Sequence, residues 1–89
     1  MTFIKDPDAV LDYSVDWSLW LAGDELSTSE WLLEEGALLE QVIASNTTTK
    51  ATVWLRGGQA GITYPVTNRI VTVGGRTDDR TISVRVEDR

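Results

Sequence analysis

Apolar and polar residues alternate along much of this chain. Leu11, Tyr13 and Val15 are separated by Asp12, Ser14 and Asp16, the two-residue period of a strand with one face buried. Glu25 to Leu33 reads as a further strand with Leu26, Trp31 and Leu33 turned inward, closed by the turn Glu34-Glu35-Gly36. Leu38 to Ala44 gives the next. The polar loop Ser45-Asn46-Thr47-Thr48-Thr49 leads into another at Thr52 to Leu55, and Arg56-Gly57-Gly58-Gln59-Ala60-Gly61 is the most flexible connection. In the last third, Tyr64, Val66, Ile70 and Thr72 share one parity and Ile82, Val84 and Val86 another, on either side of Gly74-Gly75. This predicts a long antiparallel hairpin, with a two-residue turn or a loop lengthened by Arg76 to Asp79.

Two stretches break the alternation. Trp17, Trp20 and Leu21 stand at i, i+3 and i+4, on one side of a single helical turn that Asp16 can cap and Gly23 can end. Thr2 to Val10 shows no apolar period, and Pro7 holds its predecessor extended, so residues 1–10 are predicted to be an extended N-terminal arm and 11–89 the single domain. About seven short strands with turn signals between them predict an all-β fold, a small immunoglobulin-like β-sandwich of antiparallel strands. A helix over Glu30 to Ile43 is the alternative that its Leu and Glu residues allow; the Thr, Val and Gly content of the C-terminal half opposes a helical fold.

The predicted core contains Tyr13, Trp31, Tyr64, Val66, Ile70, Ile82 and Val84. Tyr64 follows Ala60-Gly61 and precedes Val66 by two, the layout of a tyrosine corner, which assigns it a structural role. Pro65 cannot donate to a ladder and is expected at an edge or bulge. Asn68 falls on the inward parity, where its amide must be hydrogen-bonded: a bulge, a buried bracket for a loop, or an interface. Trp54 has the parity opposite to Val53 and Leu55, so either it or that pair faces outward; an outward Trp serves as an interface anchor or a sugar-stacking platform.

Composition narrows the chemistry. Eighty-nine residues allow one core, and the absence of cysteine leaves the four tryptophans to supply much of its area. Without His or Cys, imidazole and thiolate metal sites and the usual nucleophile arrangements are excluded, so the expectation is no enzyme and no cofactor. Asp6, Asp8, Asp12 and Asp16 lack the glycine and distant Glu of a calcium loop. Asp78 and Asp79, between Arg76 and Arg80, are adjacent and point to opposite faces if on a strand, so they do not make a glycosidase pair. Asn46-Thr47-Thr48 matches a glycosylation acceptor, but Met1 to Asp8 shows no secretory signal and no apolar run approaches a membrane span. The residues up to Ala44 carry ten acids against one base, −9, and the rest four acids against seven bases, +3. Folding can mix the two on one surface, or the split can guide head-to-tail contact; the acidic total opposes nucleic-acid binding.

The run Lys5-Asp6-Pro7-Asp8-Ala9-Val10-Leu11-Asp12-Tyr13-Ser14-Val15-Asp16-Trp17-Ser18-Leu19-Trp20-Leu21 resembles the opening of the phage fiber-tail adaptor proteins, small tail-associated proteins of tailed bacteriophages. Thr52-Val53-Trp54-Leu55, Gly57-Gly58, Ala60-Gly61, Tyr64, Val66-Thr67-Asn68-Arg69-Ile70 and Gly75-Arg76-Thr77-Asp78-Asp79-Arg80 are similar to the same family in the same order. Leu32 to Leu39 and Pro65 depart from its pattern. The resemblance implies a virion component of the tail or neck, assembled in the host cytoplasm, repeated around a ring and bridging tail or portal to fibres. Its partners would be other virion proteins and copies of itself, with no nucleic acid, membrane or small-molecule substrate. Trp17, Trp20, Leu21, Arg69 and Arg80 are the interface residues expected. A carbohydrate-binding or host-recognition module and a head-tail connector are the alternatives.

Overall fold

A computed structural model describes residues 2–88, in element order β1 (Thr2–Lys5), β2 (Leu11–Asp16), α1 (Ser18–Leu21), β3 (Leu26–Leu33), β4 (Leu39–Asn46), β5 (Lys50–Gly57), β6 (Thr63–Thr72) and β7 (Thr77–Val86). Two sheets face one another, a four-stranded sheet in the order β1-β7-β6-β3 and a three-stranded sheet in the order β2-β5-β4. All pairings are antiparallel except β1 with β7, which is parallel. The result is a small β-sandwich.

The alternation in the sequence becomes the two faces of each sheet. Tyr13 and Val15 of β2, Ala51, Val53 and Leu55 of β5, Val66 and Ile70 of β6, and Ile82, Val84 and Val86 of β7 turn inward and are buried together. Leu26 and Trp31 are five apart, which in a regular strand would place them on opposite faces; a bulge between Leu26 and Thr28 restores both to the core. Tyr64 is also buried, and its hydroxyl accepts a bond from the Gln59 backbone N–H at 2.9 Å, the tyrosine-corner contact that ties β6 to the preceding loop. The hydroxyl of Tyr13 and the indole nitrogen of Trp31 are buried without a hydrogen-bond partner among the described residues. Pro65 lies one position beyond the last β3–β6 pair, Leu33 with Val66, so its strand has a partner on one flank only there and the missing N–H is tolerated.

Several boundaries differ from the sequence reading. Residues 2–5 are extended but are not a free arm: Thr2 to Lys5 pair with Ser83 to Val86, and the ring of Phe3 lies 4.9 Å from that of Tyr13. The Lys5 side chain is fully buried, where its ammonium donates to the carbonyls of Asp6 and Gly57 at 2.8 Å each. A lysine that reaches backbone carbonyls can be buried in this way, and no count of apolar residues in the segment reveals it. Glu30 to Ile43 is strand, turn and strand, not helix. The strand begun at Leu38 in the sequence runs on to Asn46, and Asp78 and Asp79 sit in β7, not in a lengthened loop. The connection before β7 is a Thr72–Gly75 turn closed by Gly75 N–H on the Thr72 carbonyl, with Gly75 at φ +87°.

Candidate interaction surfaces

The helical turn α1 is held from both sides. Asp16 accepts the Ser18 N–H at 2.9 Å, and Ala22 ends the turn in a left-handed conformation, φ 49°, one residue ahead of Gly23. Trp17 and Leu21 are buried, so two of the three residues expected at an interface belong to the core instead. Spacing put them on one side of the turn, and that side faces inward. Trp20 is half-buried, edge-on to Trp17 at 5.3 Å, and carries the Arg76 guanidinium over its ring at 4.3 Å. Arg80 stacks on Trp17 at the same distance and donates to the Asp16 carbonyl at 3.1 Å. Leu19, which sequence spacing passed over, is the exposed face of α1 at 96%.

Asn68 is the bracket for this turn. Fully buried on β6, it accepts the Trp17 indole N–H at 2.9 Å and donates to the Ser29 hydroxyl at 2.9 Å and the Glu30 carbonyl at 3.1 Å. One amide thereby joins α1, β3 and β6, with every bond inside the protein. Arg69, next along β6, points the other way, onto the outer face of the four-stranded sheet. It forms a bidentate pair with Asp79 at 2.9 and 3.0 Å, which raises its pKa and lowers that of the carboxyl. Asn68 is opposite Arg80 and Arg69 opposite Asp79, so Arg69 and Arg80 lie on opposite faces and do not make one site.

Asp24 anchors the start of β3 to the β6–β7 turn. Its carboxylate accepts the Glu25 and Gly74 N–H groups at 2.8 and 3.0 Å and the Arg76 guanidinium at 3.2 Å. The Thr72 hydroxyl, foremost, with these backbone donors and Arg76 holds its pKa down at about 2. The charge halves are mixed by folding: Arg76 with Asp24 and Arg56 with Glu40 each join a base of the C-terminal half to an acid of the N-terminal half. Arg69 and Arg85 are bridged to Asp79 and Glu87. Arg80 is the arginine among the described residues with no carboxylate bridge.

Two lateral sides of the sandwich are open. On one, β4 is the edge of its sheet and only Leu39 of its eight residues is buried; Val42 is 49% and Ile43 61% exposed, and Trp54, beside Ile43 on the outer face, 39%. Trp54 is therefore the outward member of its strand. On the other side a cleft of about 350 Å³ opens between β2 and β7, lined by Ser14, Val15, Asp16, Arg80, Thr81 and Ile82. Among the described residues no group of three or more His, Cys, Asp or Glu is placed to hold a metal, and no helix is long and apolar enough to cross a membrane.

Compared with known families, residues 5–85 match the model described as Podophage GP4 fiber-tail adaptor protein gp77. No curated protein matches the chain.

Proposed function

Because the chain belongs to the podophage GP4 fiber-tail adaptor family, a family of structural virion proteins, we infer that it joins the tail or neck of the particle to the fibres by protein–protein contacts and performs no catalysis. The observation that carries this reading is the family match across residues 5–85. The surface fits such work: polar side chains are drawn into ion pairs and backbone bonds, while apolar side chains at the β4 edge and on α1 remain uncovered. A rigid sandwich with bare strand edges can be paired by a neighbour's backbone, and repetition around a ring lets weak contacts add. Trp20, with Arg76 above it, and Arg69 on the opposite sheet face are the contacts to other virion proteins proposed from the expected set; assembly takes place in the host cytoplasm.

The test is a phage lacking this gene, complemented in trans, with its particles reconstructed by cryo-electron microscopy. Particles without the protein should lack fibres and regain them, with density for the sandwich between tail and fibre, on complementation. Fully fibred particles without it would refute the reading. The sugar-binding alternative rests on Trp54; glycan binding by the purified chain that is lost in Trp54→Ala would favour it.

A further inference from the structure

The two open sides complement each other, and we propose that β4 of one copy docks in the β2–β7 cleft of the next, joining copies head to tail. The proposal rests on the adaptor reading only for its setting in a particle; the contact itself is a property of the purified chain.

The cleft has a bare backbone edge. β1 covers β7 only from Ser83 to Val86, so Thr77 to Ile82 has β6 on one flank and no described strand on the other. β2, across the cleft, pairs with β5 alone and is the edge of its own sheet. Unpaired strand edges are templates for another strand, and proteins commonly guard them with charge, proline or a covering loop. Here the two edges flank the cleft, whose bottom is closed by the core residues Val15 and Ile82, 6% and 4% exposed.

β4 is the strand that fits. From Gln41 to Asn46 it has no charged residue and no proline, whereas β2 has Asp12 and Asp16, β3 has Glu30 and β7 has Asp78, Asp79 and Arg80. Its residues beyond Leu39 are exposed on both faces, so a groove that receives it covers Val42 and Ile43 whichever way each points. At about 3.4 Å per residue, Glu40 to Asn46 spans roughly 20 Å, and the bare stretch of β7 roughly 17 Å. For molecules of net charge −6 an uncharged strand is the segment that approaches another copy with least repulsion. Arg80 at the cleft rim has no carboxylate bridge and faces the incoming acidic molecule, with Asp16 and Asp78 nearby partly offsetting it.

β4 and the cleft lie on opposite sides, since β4 ends one sheet and β2 begins it. Such a contact is heterologous, so it closes a ring or extends a filament and is not exhausted by a dimer. One strand buries less than a stable dimer needs, so the pair forms transiently in solution and accumulates only by repetition.

The chain has no cysteine, which makes trapping clean. Purified Ile43→Cys and Thr81→Cys proteins are mixed under mild oxidation, with Ile43→Cys plus Glu35→Cys as control. The mixed 43–81 disulfide should form about tenfold faster than the control pair, and a chain carrying both Ile43→Cys and Thr81→Cys should give a ladder of multimers. Adding Val42→Lys to that chain, at an exposed position, should leave its circular dichroism spectrum unchanged and abolish the ladder. A 43–81 rate no greater than control overturns the proposal, as does Ile43→Cys linking mainly to itself, which would mark symmetric β4–β4 pairing. Either result leaves the adaptor reading to the particle test.

Discussion

Replacing Asn68 by leucine keeps the number and branching of the heavy atoms of a side chain that is fully buried while removing all three of its hydrogen bonds. The Trp17 indole N–H is then left buried without a partner, at a cost of about 1 to 3 kcal/mol, and the bonds to Ser29 and Glu30 are lost at about 0.5 to 1.5 kcal/mol each, so the total is about 2 to 6 kcal/mol. For a domain of this length the whole stability is about 5 to 13 kcal/mol, and the variant should lose a large part of it. A double-mutant cycle separates the Trp17 bond from the rest. Trp17→Phe removes the indole donor; its cavity cost appears in both backgrounds and cancels, so it should cost about 1 to 3 kcal/mol less in the Asn68→Leu background than in the unaltered protein. Urea unfolding followed by far-ultraviolet circular dichroism measures all four corners without relying on tryptophan emission. A coupling under about 0.5 kcal/mol would show that the bond at 2.9 Å does not bracket α1 to the sheet, and the account of Asn68 would fall.

Three further outcomes follow from other contacts. Asp24 has its folded pKa lowered to about 2 from 3.8, so its contribution is full above the unfolded value and lost as pH falls through the folded one; Asp24→Asn should flatten stability between about pH 4 and pH 2, as read by acid titration of the urea midpoint. A Cβ at Gly58, which has φ +95°, would stand 2.6 Å from Val86 Cγ2, so Gly58→Ala should cost about 2 to 5 kcal/mol, whereas Gly61→Ala, at φ +90° with no atom within 4 Å, should cost less; equal midpoints would contradict this. Deleting residues through Lys5 strips β7 of its parallel partner and exposes the floor under Phe3, so limited proteolysis should cut the truncated chain faster than the whole one; equal rates would mean that β1 is dispensable.

The β-sandwich was legible because its signal is local. Tyr64, Val66, Ile70 and Thr72 repeat with period two whatever they pack against, and so do Ile82, Val84 and Val86. What failed to show depends on partners distant in sequence. Lys5 reads as a solvated charge until the Gly57 carbonyl, 52 positions away, is seen to receive it. Trp17 and Leu21 share a side of a turn, but whether that side meets solvent or core is decided by Asn68 and the sheet behind it. Arg69 and Arg80 are both near a turn in sequence, and only the pairing register of β6 with β7 places them on opposite faces. The exposure of β4 left a faint trace, an uncharged run from Gln41 to Asn46, which alternation alone assigns to an ordinary half-buried strand.

The parallel pairing of the first and last strands has a mechanical side. Tension that enters ahead of Thr2 and leaves behind Val86 pulls β1 and β7 along their common axis in opposite senses, because each is loaded at the end where the other is not. The hydrogen bonds between them then bear the load together, in shear, and must yield as a group. Loaded at Thr63 and Val86, at one end of the β6–β7 hairpin, the same sheet would peel bond by bond. Single-molecule pulling through the two attachment geometries should therefore give a higher rupture force for the first. If the protein ties a tail to a fibre as proposed, that difference makes attachment through the two ends of the β1–β7 pair the stronger way of being tied in.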